Sequence, residues 1–357
     1  MGRLRVAVVY GGQSGEHEVS ILSARSILDA LDRARFDPLP VYITREGRWT
    51  VDGREVILPT SPAAGGLLVW GTWETIPVDV FFPALHGTYG EDGTIQGAFE
   101  MAGIPYAGAD VLASAIGMDK DITKRLLHQA GLPVVPFLTV TGHQVRAALR
   151  DAVAEVDRRL AYPVFVKPAA LGSSVGVTKV RASWQMPAAL ETALEYDTKA
   201  IVEQGVDARE IECSVLGNHD PWVSVPGEVV PAREFYDYTA KYLDEQTRLL
   251  VPAPIGDQVR EEIRDVARRA YMALGCSGMA RVDCFLERQT DRILVNEVNT
   301  IPGFTAVSMY PRMWEASGLS YSALLSRLID LATERWAERR RLKSTYEEGA
   351  RLVSPAG

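Results

Sequence analysis

The feature that most constrains how this chain can fold is a pair of strand-like segments near its C-terminal end, residues 281–286 and 293–299. Each segment alternates apolar with polar residues, and residues 287–291 between them have the polar composition of a turn. Such a pattern predicts an antiparallel hairpin rather than a helix. The register of that hairpin decides which side chains meet, because paired residues lie on the same face.

A register symmetric about the turn pairs Asp283 with Glu297 and Arg281 with Asn299. These four polar side chains then share one face, and directly opposed residues lie ~5 Å apart. Two carboxylates at that separation repel each other unless a cation lies between them, and Asp, Glu and Asn oxygens suit Mg²⁺. The other face is apolar and should lie on a core; it consists of Val282, Cys284, Leu286, Leu294 and Val298.

The alternative is an ordinary surface hairpin whose charges are solvated. The residues that follow favour the metal site, since Asn-Thr-Ile-Pro-Gly-Phe-Thr at 299–305 is a turn sequence joined directly to the carboxylate strand. Backbone amides in such a turn can approach a ligand that the metal holds.

Composition and charge limit the class of protein. A chain of 357 residues with 47% hydrophobic and 24% charged residues is expected to be a soluble globular protein of two or three subdomains. A net charge of −8 argues against a nucleic-acid partner. No apolar run reaches the ~18 residues that span a bilayer, and no signal peptide is apparent. The three cysteines are expected to be buried thiols in a reducing cytoplasm.

The N-terminal segment predicts an α/β unit. A buried strand at 4–10, a glycine loop at 11–15 and an amphipathic helix at 16–31 follow one another, which aims helix-terminal amides at a ligand. The loop is not Gly-x-Gly-x-x-Gly, so a dinucleotide site is the weaker interpretation. Glu16 is either a site residue or a first-turn carboxylate stabilised by the helix dipole. His86 ends a second buried strand, at a sheet edge where ligands bind.

Further along, a strand ends at Lys167, and a loop of small residues at 169–177 contains Ser173 and Ser174. Backbone amides, hydroxyl groups and a lysine together can hold a phosphate, although the loop lacks the Walker signature. The alternative is a flexible hairpin. Glu210 follows an interdomain strand and is placed to accept ribose hydroxyls.

Six motifs occur in one order. They are Gly-Gly-Gln-Ser-Gly-Glu-His-Glu-Val-Ser at 11–20, His-Gly-Thr-Tyr-Gly-Glu-Asp-Gly at 86–93, Gly-Met-Asp-Lys at 117–120, Lys-Pro-Ala-Ala-Leu-Gly-Ser-Ser-Val-Gly at 167–176, Phe-Tyr-Asp-Tyr-Thr-Ala-Lys-Tyr at 235–242 and Asn-Glu-Val-Asn-Thr-Ile-Pro-Gly-Phe-Thr at 296–305. With them the chain resembles the D-alanine–D-alanine ligases of the ATP-grasp superfamily. The resemblance extends from Arg5 to about Leu331.

The resemblance implies a mixed α/β and α+β fold, in which an N-terminal Rossmann-like parallel-sheet domain is followed by a two-part ATP-grasp fold. The expected divisions are a substrate domain at 1–116, a small ATP-grasp subdomain at 117–205, a large one with the metal site at 206–335 and a solvated tail at 336–357. It also implies a cytoplasmic homodimer that uses ATP and D-alanine for peptidoglycan precursor synthesis, with no nucleic-acid or membrane partner.

The resemblance also implies roles for individual residues. Two Mg²⁺ ions, which Mn²⁺ can replace, are expected on Asp283, Glu297 and Asn299. The nucleotide is expected to contact Lys120, Lys167, Ser173, Ser174, Glu203, Val206, Glu210, Phe235 and Lys241. The catalytic set is Glu16, Ser173, Tyr242, Arg281 and Gly303, of which Arg281 and the Gly303 amide support the oxyanion. Substrate contacts are expected from Glu16, His86, Lys241, Tyr242, Arg281, Gly303, Ser308 and Met309.

Three other functions remain open from the sequence. A ligase of the same family could take D-lactate or D-serine as acceptor, although the resemblance implies that Tyr242, in a lid expected at 235–242, favours an amine acceptor over D-lactate. The N-terminal glycine loop could bind a nicotinamide cofactor in an oxidoreductase. An ATP-grasp-like chain could also be a nucleotide-sensing module, which would not need Arg281 beside its metals.

Overall fold

The structure is a computed structural model, and it describes residues 2–231, 247–305 and 307–343. Three sheets follow one another along the chain. The strands in the described residues are β1 (Leu4–Gly11), β2 (Phe36–Ile43), β3 (Trp49–Val51), β4 (Arg54–Ile57), β5 (Gly66–Val69), β6 (Thr75–Pro77), β7 (Val80–Pro83), β8 (Phe137–Thr141), β9 (Val164–Pro168), β10 (Thr178–Val180), β11 (Lys199–Gln204), β12 (Ala208–Leu216), β13 (Trp222–Val223), β14 (Gly227–Val230), β15 (Arg248–Leu250), β16 (Met279–Glu287) and β17 (Ile293–Asn299).

Helices cover these sheets. Those in the described residues are α1 (His17–Ala30), α2 (Thr94–Ala102), α3 (Val111–Met118), α4 (Lys120–Gln129), α5 (Gly142–Arg159), α6 (Met186–Leu194), α7 (Asp257–Ala273), α8 (Met309–Ala316) and α9 (Tyr321–Arg339). Asp119 separates α3 from α4. The Asp119 side chain accepts hydrogen bonds from the amides of Asp121 and Ile122 and so caps α4.

The N-terminal sheet has the order β6-β5-β4-β3-β2-β1-β7. Only β2, β1 and β7 pair in parallel, as the strand, loop and helix pattern predicted. Strands β3 to β6 extend the sheet in antiparallel pairs. This extension was not predicted, because its short strands carry little periodic signal.

The second sheet, β10-β9-β11-β8, is antiparallel, and the third contains β15-β14-β12-β16-β17 with β13 beside β12. The predicted hairpin is therefore β16 and β17, at one edge of the third sheet. Residues 336–339, at the start of the predicted tail, belong to α9, and residues 344–357 lie outside the described residues.

One apolar cluster joins the two ends of the chain. It combines Val6, Val8 and Ile27 of the N-terminal unit with Leu324 and Leu328 of α9. All five are fully buried, and burial of such side chains contributes roughly 1.5–3 kcal/mol each. The cluster fixes the N-terminal loops against the segment that follows β17.

All three cysteines, Cys213, Cys276 and Cys284, are buried free thiols, as predicted. No helix among the described residues is both long and apolar enough to cross a bilayer.

Candidate functional site

The β16–β17 hairpin brings four polar residues together in the predicted register. Asp283 pairs with Glu297, and Arg281 pairs with Asn299. Arg281 donates to both carboxylate oxygens of Asp283, from Nε at 2.7 Å and from Nη2 at 2.6 Å. Asn299 Nδ2 donates to Asp283 Oδ2 at 2.9 Å. The symmetric register is thus confirmed at the polar end of the hairpin.

Beyond that end the register shifts by one residue. Cys284 pairs with Val295, and Phe285 pairs with Leu294. Val295 therefore joins Cys284 in the core cluster, whereas Leu294 shares the face of Phe285. The prediction that Leu294 belongs to the core face was wrong. The reason is a β-bulge, in which Asn296 is an additional residue that alternation alone does not reveal.

Arg281 lies between two carboxylates. Its Nε is 3.1 Å from Glu212 Oε2 on β12, in addition to the contacts with Asp283. All three side chains are buried. Glu212 was missed in the sequence, because it belongs to another strand and only the β12–β16 pairing brings it opposite Asp283.

Negative charge is concentrated around these residues. Burial, together with the charges of Asp283 and Glu297, raises the pKa of Glu210 to about 7. A carboxyl group whose ionisation is opposed in this way indicates a place where a cation is stabilised.

The donor set fits Mg²⁺. Asp283, Glu297 and Asn299 offer oxygen ligands, which hard divalent cations prefer. No group of three or more His, Cys, Asp and Glu side chains with metal-binding geometry occurs among the described residues; the predicted set has two carboxylates and one amide. Mg²⁺ is commonly held by one or two carboxylates together with substrate phosphates, so this set suits a metal that arrives with a nucleotide.

Lys120 connects the hairpin to the serine loop. Its Nζ donates to Leu171 O at 2.8 Å and lies 3.8 Å from Glu297 Oε2. In the loop, Ser173 and Ser174 both adopt positive φ, at 55° and 56°. Non-glycine residues in that region are strained, and such strain concentrates at ligand-binding sites.

A buried ion cluster lies behind the loop. Lys167 Nζ is 2.5 Å from Glu203 Oε2, and Lys124 Nζ is 2.9 Å from Glu203 Oε1. Burial alone would raise the pKa of Glu203, but the charges of Lys124 and Lys167 lower it to about 2. Lys124 was missed in the sequence, although it lies one helical turn after Lys120 on the buried side of α4.

The ion cluster predicts how stability depends on pH. The pKa of Glu203 is depressed on folding, so its ionised form stabilises the fold above its unfolded pKa of ~4.3 and loses that effect as pH falls towards 2. Glu203→Gln should lower the free energy of unfolding by about 3 kcal/mol at pH 7. Denaturant unfolding of both proteins at pH 7 and pH 3 measures this difference in the free energy of unfolding.

The exposed Glu191→Gln in α6 is the control, and it should change stability by less than about 0.5 kcal/mol at either pH. A difference between wild type and Glu203→Gln that does not shrink at pH 3 would contradict the prediction.

Glu16 reaches across to the serine loop. It precedes α1 but its side chain makes no cap hydrogen bond; instead, it accepts a hydrogen bond from Ser173 Oγ. A Cβ placed on Gly87 would lie 2.9 Å from Glu16 Oε2, so this glycine leaves room for the carboxylate. This geometry favours the interpretation of Glu16 as a site residue over the alternative, a first-turn carboxylate stabilised by the helix dipole.

Gly87→Ala should therefore displace Glu16. Because the resemblance implies that Glu16 contacts substrate, we expect KM for that substrate to rise about tenfold, which corresponds to ~1.4 kcal/mol, in steady-state assays at a fixed nucleotide concentration. Gly131→Ala is a matched control, because Gly131 has the same φ of +72° but no atom within 4 Å of the added Cβ. If the two variants have the same KM, the crowding of Glu16 has no effect on substrate binding.

The remaining predicted substrate residues lie around the segment after β17. His86 Nδ1 is 3.1 Å from Ile301 O. Ser308 Oγ is 2.7 Å from Thr305 Oγ1, and it would lie 3.0 Å from a Cβ on Gly303. Met309 is buried in a small apolar cluster, so its predicted contact with substrate rests on the resemblance. Phe235, Lys241 and Tyr242 lie outside the described residues.

A single cavity of about 860 Å³ unites most of the predicted nucleotide site. Its lining includes residues from the small sheet, from the strand that leaves it and from the hairpin. The predicted residues among them are Lys120, Lys167, Ser173, Ser174, Glu203, Val206, Glu210, Arg281, Asp283 and Glu297. A cavity of this size is within the range of small-molecule and cofactor sites.

Comparison with known proteins identifies the family. Residues 5–109 match the family model described as D-ala D-ala ligase N-terminus, and residues 126–330 match the one described as D-ala D-ala ligase C-terminus. The chain belongs to the D-alanine–D-alanine ligase family.

Individual members of the ligase family are similar over almost the whole chain. The D-alanine–D-alanine ligase of Heliobacterium modesticaldum is 49% identical, over 96% of this chain and 98% of that protein. The solved D-alanine-D-alanine ligase of Coxiella burnetii has a TM-score of 0.86 at 36% identity, covering 98% of this chain and 100% of that one. The VanG D-Ala:D-Ser ligase of Enterococcus faecalis has a TM-score of 0.85 at 39% identity, covering 93% and 100%. These matches confirm the predicted ATP-grasp fold.

Proposed function

We propose that this ligase joins two molecules of D-alanine to D-alanyl-D-alanine at the expense of ATP, for peptidoglycan precursor synthesis. The observation that carries the proposal is the shared cavity: Arg281, Asp283 and Glu297 line the same space as Lys120 and Lys167. Cations for phosphate oxygens and carboxylates for metal thus face one another, as phosphoryl transfer requires. Family membership and the names of the relatives support the same reaction.

The reaction has two steps. A carboxylate oxygen of the first D-alanine attacks the γ-phosphorus of ATP, the bond to ADP breaks, and an acylphosphate forms. The amine of the second D-alanine then attacks the acyl carbon, loses a proton and expels phosphate. Both steps develop negative charge on oxygen, which positioned donors stabilise. Arg281 and the amide of Gly303 are the proposed donors.

The chain's own residues prepare these steps. Lys120 and Lys167 neutralise phosphate oxygens, and Ser173 and Ser174 cover them. Glu203, Val206 and Glu210 line the adenosine part of the cavity. Asp283, Glu297 and Asn299 would hold two Mg²⁺ ions or Mn²⁺ in their place. When bound, such ions polarise the phosphoryl oxygens and offset their charge.

The D-alanine site is proposed between the N-terminal loops and the segment after β17. Glu16 binds the ammonium of the first D-alanine, with His86 nearby, while Ser308 and Met309 border the second. Phe235, Lys241 and Tyr242 keep the roles that the resemblance implies. The domain limits, the homodimer and the cytoplasmic location also remain proposals.

The acceptor is the main functional alternative. One solved structure similar to this chain is named a D-Ala:D-Ser ligase, so D-serine is the competing second substrate. Incubation of the enzyme with ATP and equal D-alanine, D-serine and D-lactate, followed by mass spectrometry, separates the products. Predominance of D-alanyl-D-alanine supports the proposal, whereas predominance of D-alanyl-D-serine would reassign the acceptor.

The activity itself is tested by phosphate release from ATP and Mg²⁺ with a single amino acid. D-alanine should release one phosphate for each dipeptide formed, and L-alanine should release none above background. Phosphate release without dipeptide, or equal release with L-alanine, would refute the function. The nicotinamide alternative predicts NADH binding instead, which isothermal calorimetry detects.

A further inference from the structure

Ser23 links three parts of the chain within the buried interior. It lies on α1, with no exposed surface, and its Oγ is 2.9 Å from His86 Nε2. The backbone N–H of Phe304 donates to the same oxygen at 3.4 Å. A helix of the N-terminal unit thus contacts both the loop after β7 and the segment after β17. Neither its position nor its type distinguishes Ser23 from other buried helix serines in the sequence.

The ring of His86 completes a closed set of hydrogen bonds. Its Nδ1 is 3.1 Å from the carbonyl oxygen of Ile301. A carbonyl only accepts, so Nδ1 carries the proton. Nε2 of the neutral ring then accepts the hydroxyl proton of Ser23, which leaves the Ser23 oxygen to accept from Phe304 N–H. With a neutral ring, one arrangement of protons satisfies all three contacts.

The two backbone groups in this set flank Gly303. Ile301 O lies before it and Phe304 N after it, in the segment that directly follows the metal-binding strand β17. Tyr321 also donates to Phe304 O at 2.6 Å from α9. Gly303 is therefore positioned by hydrogen bonds from N-terminal residues on both sides, and by the C-terminal helix.

We propose that Ser23 is a positioning residue for the ligation. Through His86 and the Phe304 amide it fixes the orientation of the Gly303 N–H, the proposed oxyanion donor, relative to the N-terminal unit that carries Glu16. The inference rests on the proposed function. Preorganised donors stabilise a transition state because they need no reorganisation during reaction, so a loosened donor lowers kcat more than it weakens ATP binding.

Ser23→Ala removes the oxygen from the set and leaves its partners in place. We expect kcat for dipeptide formation to fall about 10- to 100-fold, with KM for ATP changed by less than about threefold. The matched control is Ser224→Ala. Ser224 is also fully buried. Its Oγ accepts a hydrogen bond from Ser214 N at 3.0 Å and donates one to Val225 O at 2.9 Å, and neither partner belongs to the segment around Gly303.

A role that is only structural predicts that both serine variants lose similar thermal stability and similar activity. That result, with wild-type enzyme active, would overturn the inference about Ser23 while leaving the function intact. Absence of dipeptide formation by wild type would instead refute the proposed function. His86→Ala should remove most of the additional effect of Ser23→Ala, because the two residues act on the same segment.

A measurement on unmodified protein keeps the inference testable if Ser23→Ala does not fold. The chain has five histidines, and ¹⁵N NMR of histidine-labelled enzyme, assigned with His86→Ala, distinguishes the two ring tautomers. The Nδ1–H form of His86 is expected at pH 8. The Nε2–H form would contradict the hydrogen-bond set and with it the positioning role.

Discussion

Glu297→Gln should lower the rate of dipeptide formation by about 10³-fold, the magnitude expected when a charge that stabilises the transition state is removed. Glu297 lies opposite Asp283 and 3.8 Å from Lys120 through its Oε2. The amide keeps the shape of the side chain but removes the charge that a divalent cation requires. Steady-state phosphate release at saturating ATP and D-alanine measures the loss.

The control is Glu287→Gln, which makes the same change on the same hairpin at its turn end, where Glu287 accepts from Thr290 Oγ1 at 2.7 Å. Its activity should remain within about twofold of wild type, because surface substitutions of this kind perturb little. Circular dichroism and the melting temperature should show that both variants fold. Turnover of Glu297→Gln within tenfold of wild type would reject the metal assignment.

Arg281→Met should affect both activity and stability. The guanidinium makes two hydrogen bonds to Asp283 and lies 3.1 Å from Glu212. Its removal leaves buried carboxylates without their counter-charge, which costs roughly 3–5 kcal/mol in the free energy of unfolding. The proposed loss of an oxyanion donor should also lower kcat by about 10²–10³-fold.

Arg281→Lys separates charge from geometry. Lysine retains the positive charge but cannot present two parallel donors to one carboxylate. It should therefore recover most of the stability but little of the rate. Arg269→Met is the control, since Arg269 forms an exposed pair 3.6 Å from Asp265, and such pairs contribute ~0–1 kcal/mol. An Arg281→Met variant as stable as Arg269→Met would refute the electrostatic account of the cluster.

The register at the polar end of the hairpin could be predicted because two independent signals agreed. Alternation set the faces of both strands, and the turn set the pairing of Asp283 with Glu297. The bulge at Asn296 could not be predicted, since an additional residue in one strand leaves its alternation almost unchanged. The consequence affects the strand beyond the bulge: Leu294 lies on the other face, and Ile293 and Val295 belong to the core cluster instead.

The sequence did not reveal the residues that hold other site residues in place. Glu212, Lys124 and Ser23 have partners that are distant in sequence, and only tertiary packing brings them together. Each satisfies a buried charge or donor, which is a property of the folded state. By contrast, Lys120, Lys167 and Glu297 belong to local motifs, and the structure places all three around one cavity.

The structure shows why a glycine is needed at Gly87, where neighbouring atoms leave no room for a side chain. Gly87 was noted only as part of a motif, yet its neighbours are the carboxylate of Glu16 and the hydroxyl of Ser14. A glycine-rich loop in the sequence suggests positive φ angles. The sequence does not reveal which neighbouring atom a side chain at Gly87 would displace.

In the proposed reaction, the carboxylate of D-alanine attacks the γ-phosphate of ATP in the cavity between Lys167 and the β16–β17 hairpin. The most direct test uses D-alanine labelled with ¹⁸O in both carboxylate oxygens. Mass analysis of the released phosphate should find one ¹⁸O atom per molecule, because the acylphosphate oxygen leaves with phosphorus. Release of phosphate without label, at the rate at which dipeptide forms, would contradict the account.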